Sequence, residues 1–216
     1  FAPFGVFALI AKTISSVSGD ISQISEILSA LVFYMSVVIL GLFVHMGITY
    51  MTLLKIFTTM DIKHFLKSMA PVQLLGFSTS SSGATLPVTM KRCEKDLGIS
   101  EEISSFVLPL GATINMDGTA LYQGVAAVFI AQAVGMDLTL ANQFTIVATA
   151  VLASIGTAAV PGAGIIMLII ILEAINVPSE GIALILGVDR ILDMIRTATN
   201  VTGDATVASV MDSLER

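Results

Sequence analysis

Five polar or charged residues near the C-terminus share a spacing that brings them onto one side of a helix. They are Asp193, Arg196, Thr197, Asn200 and Asp204. An α-helix turns by about 100° per residue, so residues three, four, seven and eleven positions after Asp193 point the same way as Asp193 itself. The planar guanidinium of Arg196 suits a carboxylate, and the carboxylate of Asp193 suits an ammonium group. Together with the Asn200 amide and the Thr197 hydroxyl, this face could hold an acidic amino acid by all of its charged groups.

Two simpler interpretations of this face have to be weighed. Asp193 and Arg196 could merely neutralise each other at a spacing of three residues, but that would leave Asn200 and Asp204 unexplained. A soluble amphipathic helix would also carry a polar stripe. The composition argues against it, because 55% of the residues are hydrophobic and 12% are charged, whereas ordinary globular chains have about 25% charged residues. In a membrane each ionisable group costs about 3 kcal/mol or more unless it faces water or another charge, which favours a functional cluster.

A second polar group interrupts an apolar segment at residues 111–119, which read G-A-T-I-N-M-D-G-T. Glycine, asparagine and aspartate are poor helix formers, so the helix is predicted to unwind near Asn115 and Asp117 and to expose carbonyl oxygens. These two side chains, with Asn200 and Asp204, supply hard oxygen ligands without a thiolate or imidazole. Such ligands suit an alkali or alkaline-earth cation rather than zinc, and sodium is the ion we expect. The alternative is that the side chains only cap the broken helix ends.

Composition narrows the remaining classes of protein. The single cysteine, Cys93, excludes an internal disulfide framework and a cysteine-based metal cluster. The net charge of −6 argues against a nucleic-acid partner, which needs a basic surface. His45 and His64 have no metal-ligand companion at helical spacing, and we interpret both as helix-face or interfacial residues. The chain begins on Phe1 rather than on methionine, directly inside an apolar run, which indicates a piece of a longer protein. The charged segment and cleavage site of a signal peptide do not precede this run.

The apolar segments predict an all-α membrane protein built as a helical bundle. Residues 24–58 form a long helix that is able to span a hydrocarbon core of about 30 Å, and residues 1–20 form the end of an earlier helix. Residues 101–134 form the broken helix described above. A second polar-centred helix, also expected to be broken, covers residues 178–214.

Two further segments, residues 61–94 and 138–175, each contain two short apolar pieces joined by small and polar residues. This pattern predicts two re-entrant hairpins, whose backbone is tolerated at membrane depth where protein or water covers it. For the first segment, the alternative is a soluble loop between two spans. Each hairpin precedes a polar-centred helix, which indicates inverted repeats with a binding site at their interface. Lysine and arginine cluster only around the first hairpin, so it is expected to enter from the cytoplasm and the second from outside.

Four motifs resemble the glutamate transporter family, which comprises the dicarboxylate/amino acid:cation symporters. They are S-S-S-G-A-T-L-P-V-T-M at 80–90, L-P-L-G-A-T-I-N-M-D-G-T-A-L-Y at 108–122, A-S-I-G-T-A-A-V-P-G-A-G at 153–164 and L-D-M-I-R-T-A-T-N-V-T-G-D at 192–204. The resemblance covers nearly the whole chain, from the family's fifth transmembrane helix onward. It implies that residues 1–20 end a scaffold helix, that residues 21–216 are an elevator-type transport domain and that the second hairpin is the extracellular gate. It also implies a homotrimer in the lipid bilayer.

The same resemblance assigns roles to individual residues. Arg196 would bind the side-chain carboxylate of the substrate, Asp193 its ammonium group, and Asn200 and Thr197 its main chain. The substrate pocket would be completed by Thr119, Ser80, Ser82, Val160 and Gly164. Sodium ions would be bound by Gly111, Asn115, Asn200 and Asp204 at one site, by Thr113, Ser154, Ile155 and Thr157 at a second, and by Asn115 and Asp117 at a third, whose remaining ligands belong to a helix outside this sequence.

Differences within the family refine the expected activity. Carriers of neutral amino acids lack an arginine at the position of Arg196, and dicarboxylate carriers lack an aspartate at the position of Asp193. The presence of both residues therefore favours aspartate or glutamate as the substrate. Gln123 replaces a glutamate of the eukaryotic proteins, which puts potassium counter-transport and proton coupling in doubt. Ser80 stands where some archaeal members have arginine, and Arg190 is hypothesised to supply that positive charge.

The function expected from the sequence is therefore sodium-coupled symport of acidic amino acids by an elevator mechanism, in a prokaryotic inner membrane. One alternative is a carrier of the same family for C4-dicarboxylates or cystine. An alternative from another class is an intramembrane aspartyl protease that uses two of Asp117, Asp193 and Asp204, although the Gly-x-Gly-Asp arrangement of such enzymes is missing. The third alternative is a channel-like or merely scaffolding helical bundle.

Overall fold

The computed structural model describes residues 21–216, with side chains from residue 25 onward. In this part of the chain all regular secondary structure is helical, and there are no strands. The α-helices are α1 (Ile21–Val44), α2 (Met51–Phe57), α3 (Ile62–Thr79), α4 (Ser82–Lys95), α5 (Glu101–Ile114), α6 (Asp117–Ala133), α7 (Leu140–Ile155), α8 (Ala163–Ala174) and α9 (Leu186–Glu215). The all-α prediction is confirmed. The scaffold helix expected at residues 1–20 lies outside the described residues.

The long helix expected at residues 24–58 consists of α1, a π-helical segment (His45–Tyr50) and α2. Within it, Ser25–Phe57 is long and apolar enough to cross a membrane, with a mean hydropathy of 2.6. Tyr34, Val38 and Leu42 are buried at a spacing of four residues, which is one stripe of an α-helix. This stripe belongs to the core that α1 shares with α6.

Both segments expected to form hairpins consist of two helices that contact each other across a turn. In the first, Ser80 ends α3 in a left-handed conformation (φ 52°), and the hydroxyl of Ser81 accepts a hydrogen bond from the Ala84 amide at the start of α4. In the second, a longer turn separates α7 from α8 and closes with Gly162 at φ 76°. Positive φ is accessible to glycine at little cost, which explains this residue at the entry to α8.

The predicted break in the middle helix is confirmed, because α5 ends at Ile114 and α6 begins at Asp117. The prediction of a second broken helix is wrong, since α9 is continuous from Leu186 to Glu215. A 3₁₀ helix, Ser179–Leu184, precedes it, so the last α-helix starts later than residue 178. Asn200 and Asp204 of α9 bond to α6 and to the break, as described below. Other hydroxyl side chains of α9 donate to backbone carbonyls four residues earlier without interrupting the helix, and these are Thr199, Thr202, Thr206 and Ser209.

Helix α9 runs through the middle of the described structure and contacts α3, α4, α5 and α6. One apolar core surrounds its N-terminal half and includes Tyr122, Ile130, Leu168 and Leu192. A second core surrounds its C-terminal half and includes Phe65, Leu108, Val201 and Ala205. The polar face of α9 lies between these two cores, where it is shielded on both sides.

Candidate functional site

One small cavity brings together all nine residues that the family resemblance assigns to the substrate. Its lining includes Ser80, Ser82, Thr119, Val160, Gly164, Asp193, Arg196, Thr197 and Asn200. They come from four parts of the fold, which are the tip of the first hairpin, the start of α6, the second hairpin and α9. Met116, Thr157, Ala158 and Ala159 complete the lining.

Arg196 is the most deeply placed charged group of this cavity, with 1% of its surface exposed. Its Nε and Nη2 atoms donate to Oδ1 of Asp193 at 3.1 and 2.8 Å. Its Nη1 atom donates to Oδ1 of Asp189 at 3.3 Å, and its Cζ atom lies 3.9 Å from the centre of the Tyr122 ring. Two carboxylates and an aromatic face thus compensate the buried cation. The simpler interpretation of the spacing, an internal Asp193–Arg196 ion pair, describes this geometry.

Asp189 is a member of the site that sequence reasoning missed. It is buried and lies four residues before Asp193 and seven before Arg196, so it shares their face of α9. That spacing was visible in the sequence. Arg190, which was hypothesised to add a positive charge, is exposed and does not line the cavity. One residue corresponds to about 100° of helix rotation, which turns Arg190 away from the face that carries Asp189.

Gly164 lies close to the guanidinium, and Gln123 binds the backbone of Gly164. A Cβ atom on Gly164 would lie 3.1 Å from Cγ2 of Thr119 and 3.2 Å from Cζ of Arg196, so only glycine allows this approach of α8. Nε2 of Gln123 donates to the Gly164 carbonyl oxygen at 3.0 Å and ties α6 to α8. Among the described residues, Oε1 of Gln123 and Oγ of Ser80 are buried without a hydrogen-bond partner. A buried polar atom without a partner costs about 1–3 kcal/mol, so both favour an additional polar group nearby.

The two hairpin tips touch each other over the cavity. The Ser81 hydroxyl donates to the Ala159 carbonyl oxygen at 2.6 Å, and the Gly83 amide points to the same oxygen at 3.3 Å. The Gly162 amide donates to Oδ2 of Asp193 at 2.9 Å. The enclosed volume is about 20 Å³, which is room for about one water molecule. A ligand larger than a water molecule therefore does not fit unless the tips separate.

Replacing Ser81 with alanine is expected to loosen this contact between the tips. Loss of one hydrogen bond removes about 1 kcal/mol, which corresponds to a roughly fivefold larger open population. The rate at which a thiol reagent modifies Met116→Cys reports on opening, because Met116 lines the cavity and is buried while the tips touch. The one native cysteine, Cys93, is also buried. The matched control is Ser78→Ala, since that exposed hydroxyl bonds only within its own helix, to Leu74. Equal modification rates in the Ser81 variant and the parent would contradict the proposed contact.

Three of the four residues assigned to the first ion site meet at the helix break. Nδ2 of Asn115 donates to Oδ1 of Asp204 at 3.0 Å. A Cβ atom on Gly111 would lie 2.7 Å from the same oxygen, so this glycine admits the carboxylate. Asn200, one turn earlier on α9, instead accepts from the Gly118 amide at 2.9 Å and donates to Thr119 Oγ1 at 3.1 Å. Asn200 thereby joins the break to the cavity.

The second predicted ion site is not assembled by hydrogen bonds. Thr113, Ser154 and Thr157 each donate a hydroxyl to a carbonyl three or four residues earlier in the chain. Ile155 lies at the end of α7 with 47% of its surface exposed. The structure places Ser154, Ile155 and Thr157 next to one another at this helix end, while Thr113 lies on α5.

Asp117, assigned to the third ion site with Asn115, is held by two residues of the π-helical segment. Oδ2 lies 2.6 Å from Nε2 of His45, and the Tyr50 hydroxyl donates to both carboxylate oxygens at 2.6 and 2.7 Å. His45, interpreted above as a helix-face or interfacial residue, therefore has a specific carboxylate partner. His45 and Asp117 are 72 residues apart, and no local spacing signals their contact. The other histidine, His64, is exposed and contacts the Asp96 carbonyl oxygen at 2.7 Å.

Within residues 21–216, no three His, Cys, Asp or Glu side chains come together as a metal cluster. The oxygen atoms at the break come instead from one or two carboxylates, from side-chain amides and from the backbone. This mixture suits a weakly held hard cation and is unlike the nitrogen and sulfur ligands of zinc.

Comparison with known proteins adds independent information. A family model described as the sodium:dicarboxylate symporter family matches residues 1–214. Excitatory amino acid transporter 1 of Rattus norvegicus is 41% identical over 216 residues, which is 100% of this chain and 39% of that protein. Excitatory amino acid transporter 3 of Mus musculus is 43% identical over 216 residues, 100% of this chain and 40% of that protein.

A bacterial relative shows the same level of similarity. The proton/sodium-glutamate symport protein of Bacillus subtilis is 43% identical over 219 residues, covering 99% of this chain and 48% of that protein. The chain thus spans less than half the length of each of these three relatives. Because the family match extends over almost all of the chain, the chain belongs to the sodium:dicarboxylate symporter family.

Proposed function

We propose that the protein is a sodium-coupled symporter of acidic amino acids, and that the cavity around Arg196 is its substrate site. The observation that carries this proposal is the burial of opposite charges from one face of α9 beneath both hairpin tips. Relatives named as excitatory amino acid transporters and as a glutamate symport protein support the substrate class. Aspartate and glutamate both carry the two carboxylates and the ammonium group that these residues match.

Substrate binding would exchange partners within the pocket. In the structure, Asp193 and Arg196 bind each other at 2.8 Å. An acidic amino acid brings its own carboxylate for Arg196 and its own ammonium for Asp193, so each buried charge still has a partner after the exchange. Asp189 contacts Nη1 on another part of the guanidinium and can stay in place. The Ser80 hydroxyl and the amides of the tips would then bind the main-chain carboxylate.

The same exchange explains why an amino acid fits better than a C4-dicarboxylate. A dicarboxylate can pair with Arg196 but brings no cation, so Asp193 would lose its partner in a buried site. Sites that leave a buried polar group without a partner reject the wrong ligand strongly. Cystine, the other alternative within the family, carries its second carboxylate beyond a disulfide and next to a second ammonium group. That carboxylate lies farther from the first than in aspartate, and it brings an additional cation towards Arg196.

Ion coupling would act through the contact between α6 and α9. Asn200 lines the substrate cavity and also binds the first turn of α6, directly after the break at which Asn115 meets Asp204. A sodium ion at the break would hold these helices together, and a bound substrate would do the same. Two ligands that stabilise the same arrangement bind cooperatively.

The membrane architecture that we propose follows the family. Ser25–Phe57 would be a full span, the two helix pairs would be re-entrant hairpins in inverted repeats, and residues 21–216 would move together as the transport domain of an elevator. The first hairpin would enter from the cytoplasm. The complete protein would form a homotrimer in a prokaryotic inner membrane.

The aspartyl protease alternative is not compatible with the family, which consists of symporters. The geometry agrees, because the three candidate carboxylates have different partners. Asp117 is held by Tyr50 and His45, Asp193 by Arg196, and Asp204 by Asn115. A dyad of this kind needs two carboxylates that share one proton.

Calorimetric titration of aspartate into the full-length protein at several sodium concentrations tests the proposed function. If two ions bind with the substrate, the dissociation constant is expected to fall about 100-fold for each tenfold rise in sodium, well below saturation. Potassium at the same ionic strength is the control and should not support tight binding. An affinity independent of sodium would contradict the symport mechanism and favour the channel-like or scaffolding alternative.

A further inference from the structure

Within the described residues, the long helix is interrupted at a single point, by the π-helical segment His45–Tyr50. Such segments are rare and often occur at functional sites. The interruption does not follow from proline, because the segment reads H-M-G-I-T-Y. The two residues at its ends, His45 and Tyr50, are the ones whose side chains reach Asp117.

The wider turn explains how both side chains reach the same carboxylate. In an α-helix, residues five positions apart point about 140° away from each other. A π-helix bonds residue i to residue i+5, so His45 and Tyr50 lie one above the other. Their rings are in edge-to-face contact, with centroids 4.8 Å apart at 72°. The π-helical geometry therefore directs two hydrogen-bond donors towards one point.

The contacts also orient the carboxylate of Asp117. An ionised carboxylate only accepts hydrogen bonds, so Nε2 of His45 must carry the hydrogen in this contact. Tyr50 donates to either oxygen, and the Gly118 amide donates to Oδ1 at 3.1 Å. A carboxylate has about four lone-pair directions, so three donors leave one for a cation. The Asp117 side chain is 32% exposed and is therefore accessible to one.

Tyr50 also connects this carboxylate with the rest of the break. A Cβ atom on Gly203 of α9 would lie 2.6 Å from the Tyr50 hydroxyl oxygen and 3.2 Å from Nδ2 of Asn115. The hydroxyl group thus lies where the long helix, the break and α9 meet. Only glycine at position 203 allows this approach.

We propose that the π-helical segment positions Asp117 as a cation ligand, with His45 and Tyr50 as positioning residues of the sodium site that Asp117 shares with Asn115. This inference rests on the proposed sodium coupling and extends it to two residues outside the predicted ligand set. A carboxylate already held in one orientation loses less freedom when an ion binds, which increases ion affinity. Removing a hydrogen-bond partner of a metal ligand typically weakens metal binding 10–100-fold.

The decisive variant is Tyr50→Phe in the full-length protein, because it removes the hydroxyl and keeps the ring. The sodium concentration for half-maximal aspartate binding is expected to rise about tenfold, while aspartate affinity at saturating sodium changes less than about twofold. A second measurement needs no substrate. Sodium alone raises the melting temperature of a protein that binds it, and this sodium-induced shift is expected to be smaller in the variant.

Tyr34→Phe is the matched control. Tyr34 is a buried tyrosine on the same long helix, and its hydroxyl has no hydrogen-bond partner among the described residues. Its removal should leave sodium dependence unchanged. His45→Gln, which keeps an N–H donor on a different side chain, should shift the sodium dependence less than His45→Leu, and this pair supplies the comparison if Tyr50→Phe does not fold.

The outcomes distinguish a failure of the positioning role of His45 and Tyr50 from a failure of the proposed symport function. If the parent protein binds aspartate without sodium, the proposed function itself fails. If the parent depends on sodium and both Tyr50→Phe and His45→Leu keep the parent's sodium dependence, the positioning role is refuted while the symport function stands. A loss of aspartate affinity that persists at saturating sodium would also overturn the inference, because it would assign these residues to the substrate site.

Discussion

Aspartate binding is expected to weaken by at least about 30-fold when Arg196 is replaced with alanine. Truncating one partner of a buried, hydrogen-bonded charge pair costs about 2–5 kcal/mol, and each 1.4 kcal/mol corresponds to a tenfold change in Kd. Here the change removes the group that would bind the substrate carboxylate. It also leaves Asp189 and Asp193 in a buried site without their cation. Calorimetry at saturating sodium measures the effect directly.

Two further variants distinguish a binding role of Arg196 from a structural one. Arg196→Lys keeps the charge but loses the planar fork, so it should give an intermediate affinity. A neutral amino acid of similar size should lose much less affinity than aspartate in Arg196→Ala, because it never used the guanidinium. Equal losses for both ligands, or a collapse of the melting temperature, would indicate that Arg196 mainly maintains the fold. Unchanged aspartate affinity would contradict the assigned role.

Sodium binding is expected to weaken strongly when Asp204 is replaced with asparagine. The change preserves the size of the side chain and removes its negative charge. Asp204 is buried, and it meets Asn115 at the break with Gly111 packed against its oxygen. A cation at this point would lose the only full charge among the four predicted ligands of the first site. We expect the sodium concentration for half-maximal aspartate binding to rise by about 100-fold, at the upper end for changes around a metal ligand.

Asp212→Asn is the control for this experiment. Asp212 is another buried aspartate of α9, but it lies two turns further on and accepts a hydrogen bond from the Ser100 amide. Its replacement should leave the sodium dependence close to that of the parent. If Asp204→Asn retains the parent's sodium dependence, or if Asp212→Asn changes it equally, the ion site does not lie at the break.

The site shows which features local sequence patterns can predict and which they cannot. The shared face of Asp193, Arg196 and Asn200 followed from helical periodicity, and Asp189 lay on that face as well. The break at Asn115 followed from residues with weak helix propensity. The same reasoning failed for α9, which also carries asparagine, aspartate and glycine yet continues without interruption. Local propensity is a weak preference, and contacts with neighbouring helices override it.

Other features depended on contacts between distant parts of the chain. The bond between His45 and Asp117 joins residues 72 positions apart, and the contact of Ser81 with Ala159 joins residues 78 apart. Neither pair has a spacing that a sequence pattern could report. The π-helical turn at His45 was likewise invisible, because its residues have no composition that separates them from an ordinary apolar helix.

The sequence by itself determined the helical class, the polar face of the last helix and the break before Asp117. These features follow from composition, periodicity and backbone preference, all of which act over a few residues. Only the tertiary structure decided which charges pair, that Asp189 shares Arg196 with Asp193, and that the hairpin tips close over the cavity. Such contacts depend on how whole helices are placed against one another, and that placement is set by packing and burial across the entire chain.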